Sequence, residues 1–204
     1  GISTGKSTVI NLIKNKKPDY KIVDADLIAR EEVKIGSPAL KKIVKAFGKE
    51  VLLEDGNLDR VKVGNIIFND SKKRLVLNGI THPYIRLEML RMILFYQLTF
   101  QRLIFLDIPL LYESKLDKFM TSVVVVYCNV ENQLKRLKLR NSINSDEEAL
   151  KKINSQISIE EKKQKANFVV DNNGSLLETE QNLVSVLNDL ESVITSKSFK
   201  YLKI

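Results

Sequence analysis

The chain predicts an α/β fold in which parallel strands are flanked by helices, and three observations carry that expectation. First, Gly1-Ile2-Ser3-Thr4-Gly5-Lys6-Ser7 fills every position of G-x-x-x-x-G-K-[ST] except the leading glycine, which would stand one place before residue 1. Second, short apolar runs end in aspartate: Lys21-Ile22-Val23 before Asp24, Arg102 to Leu106 before Asp107, and Phe168-Val169-Val170 before Asp171. Third, long stretches of helical periodicity separate these runs, as parallel crossovers require. The three together define a P-loop NTPase-type parallel sheet with helices on its faces. A buried strand ordinarily leads into such a loop, so a further segment of about ten residues, that strand and its first glycine, is expected upstream.

The elements follow in order. Behind the loop, Val9-Ile10-Asn11-Leu12-Ile13 is apolar helical text whose positive end would meet phosphate. Pro18-Asp19 breaks it, Lys21 to Val23 is a short buried strand, and Leu27 to Val33 continues as a helix. Gly36-Ser37-Pro38 supplies a stop, an N-cap and a proline at the first helical position for a helix through about Phe47-Gly48. Asp55-Gly56 makes a turn. From Asp59 to Gln101 the text is almost wholly helical, with a long helix expected to open at His82-Pro83 and to carry Ile85, Leu87, Met89, Ile93 and Leu98. That run exceeds one crossover, and residues 57–101 or so are read as a helical insertion able to cover the site and bind the phosphoryl acceptor.

Thr121 to Tyr127 is continuously apolar, as in a strand buried on both faces. Helical text over Val130 to Leu139, a polar break at Arg140 to Ser145 and helical text again over Asp146 to Lys165 suggest a lid over roughly 136–165. After the strand Phe168 to Asp171, Asn172-Asn173-Gly174 is a turn, and Ser175 caps an amphipathic helix of about twenty residues. Residues 1–204 are thus expected to form a single domain bearing an insertion and a lid.

Composition narrows the function. The longest apolar run, Val123 to Cys128, is far too short to span a bilayer, so no transmembrane segment is expected. Cys128 is the only cysteine, which excludes an intrachain disulfide and fits a buried thiol in a reducing compartment. A cytoplasmic location is expected, with mitochondrial association left open. A net charge of +8 calls for anionic partners. The basic residues nevertheless lie in pairs along helical text, such as Lys41-Lys42 and Lys162-Lys163, with no stacking aromatics and no DNA-reading motif. A nucleotide and a phosphate-rich second substrate account for the charge, and no nucleic acid is expected.

The motif specifies a triphosphate. Backbone N–H groups from Gly1, Ile2, Ser3, Thr4 and Gly5 through Thr8 would cradle ATP, Lys6 would place a point charge near the β and γ phosphates, and Ser7 would hold Mg²⁺. An alcohol acceptor needs a group that takes its proton and aligns its oxygen, and Asp26 at the crevice edge is the candidate. Asp24 would serve as a ligand to a Mg²⁺-bound water; a helix cap is the other reading of either aspartate. No Asn-Lys-x-Asp follows the apolar strand at Val123 to Tyr127, which argues against a GTPase.

The strings Gly1 to Val9, Val23-Asp24-Ala25-Asp26-Leu27-Ile28-Ala29-Arg30, Thr81-His82-Pro83, Asp107-Ile108-Pro109-Leu110-Leu111-Tyr112-Glu113 and Asp171-Asn172-Asn173-Gly174 together resemble dephospho-CoA kinase. The resemblance runs from Gly1 to about Leu187. It implies ATP-dependent phosphorylation of the ribose 3′-hydroxyl of dephospho-CoA, with Asp26 as general base and Asp107 as an outer-sphere partner of the metal. It further implies that Arg140 reaches over the phosphates, that His82 faces the substrate, and that Asn172 and Gly174 lie in a turn beside adenine. Asn167 departs from the aspartate common in that family. Another small-molecule kinase on this fold, or a catalytically silent nucleotide-binding module, stays open at this point.

Overall fold

The structure is a computed structural model that describes residues 1–101 and 103–196; Arg102, expected at the head of a strand, lies outside the described residues. In chain order it begins with α1 (Lys6–Lys16), β1 (Lys21–Asp24), α2 (Ala25–Glu31), α3 (Pro38–Phe47), α4 (Arg60–Asn69), α5 (Ser71–Leu98) and β2 (Ile104–Asp107). It continues with β3 (Val124–Tyr127), α6 (Val130–Asn141), α7 (Asp146–Asn154), α8 (Ile159–Lys165), β4 (Phe168–Asp171) and α9 (Leu176–Ser196). The chain divides into two compact units, one made of Gly1–Pro18 with the chain from Leu110 onward, the other of Asp19–Pro109. Each contains one pair of parallel strands. Among the described residues no helix is long and apolar enough to cross a membrane.

In the unit Asp19–Pro109, β1 and β2 run in register from Lys21 beside Ile104 to Asp24 beside Asp107. A parallel pair cannot be closed by a hairpin, and helices α2 to α5 make the crossover. Their apolar faces meet in a core of Val33, Ala39, Ile43, Val51 and Val63, flanked by Ile66, Leu77, Ile80 and Tyr84. The start signals read from sequence are in place. The Ser37 hydroxyl accepts from Leu40 N–H at 3.1 Å ahead of Pro38, and Gly48 ends α3 at φ 89°. Asp55-Gly56 forms the expected turn, with Gly56 at φ 82° and Leu53 N–H donating to the Asn57 carbonyl at 2.8 Å.

One boundary differs. Helix α5 does not open at His82-Pro83; it begins at Ser71, and Pro83 lies inside it. Asp70 Oδ1 accepts from the N–H groups of both Lys72 and Lys73, a stronger start than a proline at a first position would be. Pro83 deprives the Gly79 carbonyl of its helical donor, a cost of about 3 kcal/mol. Leu77 and Ile80 before the proline and Tyr84 after it pack on one core, and that shared burial carries the helix through. His82 is therefore not a helix-capping residue; it lies in mid-helix and is exposed.

In the other unit, β3 and β4 pair from Val124 beside Phe168 to Tyr127 beside Asp171, joined by α6, α7 and α8. Asn167 holds the strand entrance: its Oδ1 accepts from Val123 N–H at 2.8 Å. That contact uses only an acceptor oxygen, so the asparagine does the work an aspartate would do. Helix α9 buries Thr179, Leu183, Val186, Leu187 and Leu190, a face of helical period, and packs on β4. Leu137, Ile143, Ala149 and Ile153 close a second cluster between α6 and α7. The helical text over Asp146 to Lys165 is two helices, because Ser158 starts α8 afresh by accepting from Glu161 N–H at 3.1 Å.

A buried ion pair ties α8 down. Lys162 is 5% exposed, and its Nζ lies 2.6 Å from Glu113 Oε1, which also accepts from Ile157 N–H at 3.1 Å. Burial pushes the Glu113 carboxyl up, but the Lys162 hydrogen bond and charge outweigh it and hold it below the usual 4.5. Glu113→Gln leaves Lys162 buried without its counter-charge and is expected to cost about 3 kcal/mol at neutral pH. A depressed carboxylate pKa gives stability that is complete above the ordinary value and lost as pH falls through the lower, folded one. The gap between the melting curves of the parent protein and the variant should therefore be widest at neutral pH and close below about pH 4.5. A gap that persists unchanged in acid would show that the ion pair is not its source.

Candidate active site

The loop ahead of α1 is shaped by two left-handed residues, Ser3 at φ 54° and Gly5 at φ 91°. Its carbonyls are anchored one after another. Thr4 Oγ1 donates to the Gly1 carbonyl at 3.2 Å, Gln133 Nε2 to that of Ile2 at 2.7 Å, and Asn172 Nδ2 to that of Thr4 at 2.7 Å. Arg136 Nη1 adds a longer contact to the Thr4 carbonyl at 3.4 Å, and Val9 N–H bonds the Gly5 carbonyl at 3.2 Å. The Ser3 carbonyl faces the Cys128 sulfur at 3.9 Å. In a trans peptide the N–H points opposite to the C=O before it. Tying the oxygens of residues 2 and 4 to α6 and the β4–α9 turn therefore turns the N–H groups of residues 3 and 5 the other way, which is what an anion requires.

Helix α1 adds to this. Its N-cap is Gly5, with no side-chain cap and no acidic residue in the first turn. Helices α2 to α8 each have an Asp, Asn or Ser cap, and α9 has a capping box in which Ser175 and Glu178 satisfy each other's N–H. The open positive end of α1 is left for an external anion. Lys6 begins the helix, and Ser7 and Thr8 are exposed, whereas the Thr4 side chain is buried at 1% and serves the loop itself. Gly5 has two reasons to be glycine. Its φ is positive, and a Cβ there would lie 1.9 Å from Asn172 Nδ2.

The residues that build the loop's back wall, Gln133, Arg136 and Thr179, belong to no motif that the sequence displays. Gln133, Arg136 and Leu137 sit three and four apart on one face of α6, so a stripe of mixed polar and apolar residues was the available signal. Arg140, one turn beyond Arg136, is exposed and bonds Asn141 Oδ1 at 3.1 Å. The Asn172 side chain is turned to the loop; Arg136 Nη2 holds its carbonyl at 2.8 Å. Asn173 locks the turn further by accepting from Asn129 N–H at 2.8 Å, and Gly174 lies exposed beside Glu178. Cys128 is fully buried and burial pushes its thiol up, so it is a packing residue and not a nucleophile.

In the other unit the structure brings two predicted residues together. Asp24 and Asp107 are register partners at the carboxyl ends of adjacent parallel strands, the edge at which α/β proteins place their chemistry. Asp24 Oδ1 also caps α2 by accepting from Leu27 N–H at 2.9 Å, so its capping and metal-side readings are compatible. Asp26 lies in the first turn of α2 with its side chain exposed. The chain turns helical at Ala25, immediately before it. Among the described residues no cluster of three or more His, Cys, Asp or Glu side chains forms a metal cage. Mg²⁺ needs none: it takes one or two carboxylates together with phosphate oxygens and water, and the Asp24–Asp107 pair suits that donor set.

A phosphate loop anchored by its carbonyls, leading an uncapped helix in a chain of parallel strands and helices, places the protein in the P-loop NTPase class. Within that class the chain belongs to the dephospho-CoA kinase family, whose pattern (CoaE: Dephospho-CoA kinase) matches residues 1–178. It is 45% identical over 196 residues to a dephospho-CoA kinase of Listeria innocua, covering 96% of this chain and 95% of that one. It is 42% identical over 197 residues to one of Oryza sativa subsp. japonica, covering 97% and 84%. Among solved structures, dephospho-CoA kinase from Campylobacter jejuni superposes with a TM-score of 0.71 at 31% identity, covering 95% of this chain and 94% of the other. A protein described as TT1252 from Thermus thermophilus superposes with the same TM-score of 0.71 at 27% identity.

Proposed function

We propose that this protein transfers the γ-phosphoryl group of ATP to the ribose 3′-hydroxyl of dephospho-CoA, giving coenzyme A and ADP. The observation that carries the reading is the phosphate loop with its carbonyls tied inward, in a chain of the dephospho-CoA kinase family. Phosphoryl transfer asks little covalent chemistry of a protein; positioning and charge supply the rate. Loop N–H groups and Lys6 bind the β and γ phosphates. Ser7, Asp24 and Asp107 are the residues that would hold Mg²⁺ and its waters, and the ion would supply charge neutralisation to the phosphates. Asp26 receives the proton of the attacking hydroxyl.

The remaining assignments follow the family resemblance. Arg140 is given the phosphates during transfer, and His82, exposed on α5, is given the acceptor. The turn from Asn172 to Gly174 is given the adenine, through its backbone where Asn172 is concerned. Residues 57–101 or so, with α4 and α5, stand as the acceptor-binding insertion and roughly 136–165 as the lid. Both substrates are anions, which suits a chain of net charge +8. We place the reaction in the cytoplasm, where a lone thiol stays reduced.

The direct test is to incubate the protein with ATP, Mg²⁺ and dephospho-CoA and to follow the acceptor by mass spectrometry. A gain of one phosphate on the ribose is expected, with nucleoside monophosphates offered side by side remaining unmodified. Phosphorylation of a monophosphate in preference to dephospho-CoA would replace this reading with that of another small-molecule kinase.

A further inference from the structure

Five polar or charged side chains are buried among the described residues, and four of them, Thr4 at 1%, Gln133 at 2%, Asn172 at 7% and Thr179 at 0%, converge on the phosphate loop. Buried polar groups persist where they are hydrogen-bonded, and each costs stability if it is not. Each has a partner in or beside the loop: Gln133 Nε2 donates to the Ile2 carbonyl, Asn172 Nδ2 to the Thr4 carbonyl, and Thr179 Oγ1 to Asn172 Oδ1, while Gln133 Oε1 is buried with no hydrogen-bond partner among the described residues. They come from separate elements, so their convergence is a property of the fold around the loop and not of local sequence.

The arrangement fixes the Asn172 amide uniquely. The Thr4 carbonyl can only accept, so the nitrogen must face the loop at 2.7 Å and the oxygen must face Thr179. The Thr179 hydroxyl, 2.8 Å from that oxygen and 3.0 Å from the Ser175 carbonyl, then has its proton drawn to Asn172 Oδ1. The same amide nitrogen fills the space where a Cβ on Gly5 would stand, 1.9 Å away. A shift of the amide therefore displaces the peptide whose N–H groups bind phosphate. We propose that Asn172, oriented by Thr179, is a positioning residue for triphosphate binding, acting on the phosphate loop through the Thr4 carbonyl and not on the nucleotide base.

This inference rests on the reading of residues 1–8 as a triphosphate cradle, and the test separates the two. Affinities of the protein and its variants for ATP and for inorganic tripolyphosphate, which has no base, are measured by calorimetry with Mg²⁺ present. Asn172→Asp sets a carboxylate oxygen against the Thr4 carbonyl. It is expected to weaken both ligands by the same factor, about tenfold or more. In turnover assays the KM for ATP should rise while that for dephospho-CoA stays put, a split that general loss of structure does not produce. Thr179→Val should act in the same direction on both ligands, and Thr179→Ser should restore wild-type affinity. Weakened ATP binding with unchanged tripolyphosphate binding would make Asn172 a base contact and overturn the proposal, as would no change in either ligand. If Asn172→Asp does not fold, Thr179→Val decides by the same criteria. Absence of binding of either ligand to the unmodified protein would instead overturn the cradle reading beneath it.

Discussion

Asp26→Asn is expected to lower turnover at least about a hundredfold, the lower end for losing a general base, while ATP affinity stays unchanged. The side chain is exposed in the first turn of α2, and the amide has the same shape as the acid. Its structural contribution is a carboxylate near a positive helix end, about 0.3–1 kcal/mol. A hundredfold in rate corresponds to about 2.7 kcal/mol of barrier. The two effects are thus separable by size: a small change in melting temperature beside a large change in kcat identifies a chemical role. Turnover near that of the parent protein would remove Asp26 from the reaction and leave it as a first-turn acid of α2.

Lys6→Ala is expected to weaken ATP binding and to lower kcat together, the latter by about a hundredfold or more, the scale seen when a preorganised donor to developing charge is removed. Lys6 opens α1, where a cation opposes the helix dipole. A cation at a position the helix dipole disfavours should lose function on truncation with little loss of thermal stability. Unchanged kinetics in the alanine variant would remove the phosphate role from the loop.

Much of the architecture is legible in the sequence because it is written in local chemistry. Ser37-Pro38, Asp55-Gly56 and Ser175 announce cap, turn and cap by residue type alone, and each is satisfied by a contact within three or four residues. The strand ends at Asp24, Asp107 and Asp171 were likewise visible, since a short apolar run closed by a carboxylate is a local pattern. Pro83 departs from the local rule that puts proline at a first helical position. The core formed by Leu77, Ile80 and Tyr84 overrides it, and that core is not local.

The candidate site divides along the same line. Gly5, Lys6 and Ser7 are contiguous, so their chemistry could be named from the chain alone, as could the carboxylates at the strand ends. The partnership of Asp24 with Asp107 joins residues on two strands, and the back wall of Gln133, Arg136 and Asn172 reaches the loop across 131 to 168 positions of chain. Sequence order carries no trace of such meetings. A hydrogen bond depends on where two atoms stand in space, and only the packing of α6 and α9 around the parallel strands brings those donors to the carbonyls they hold.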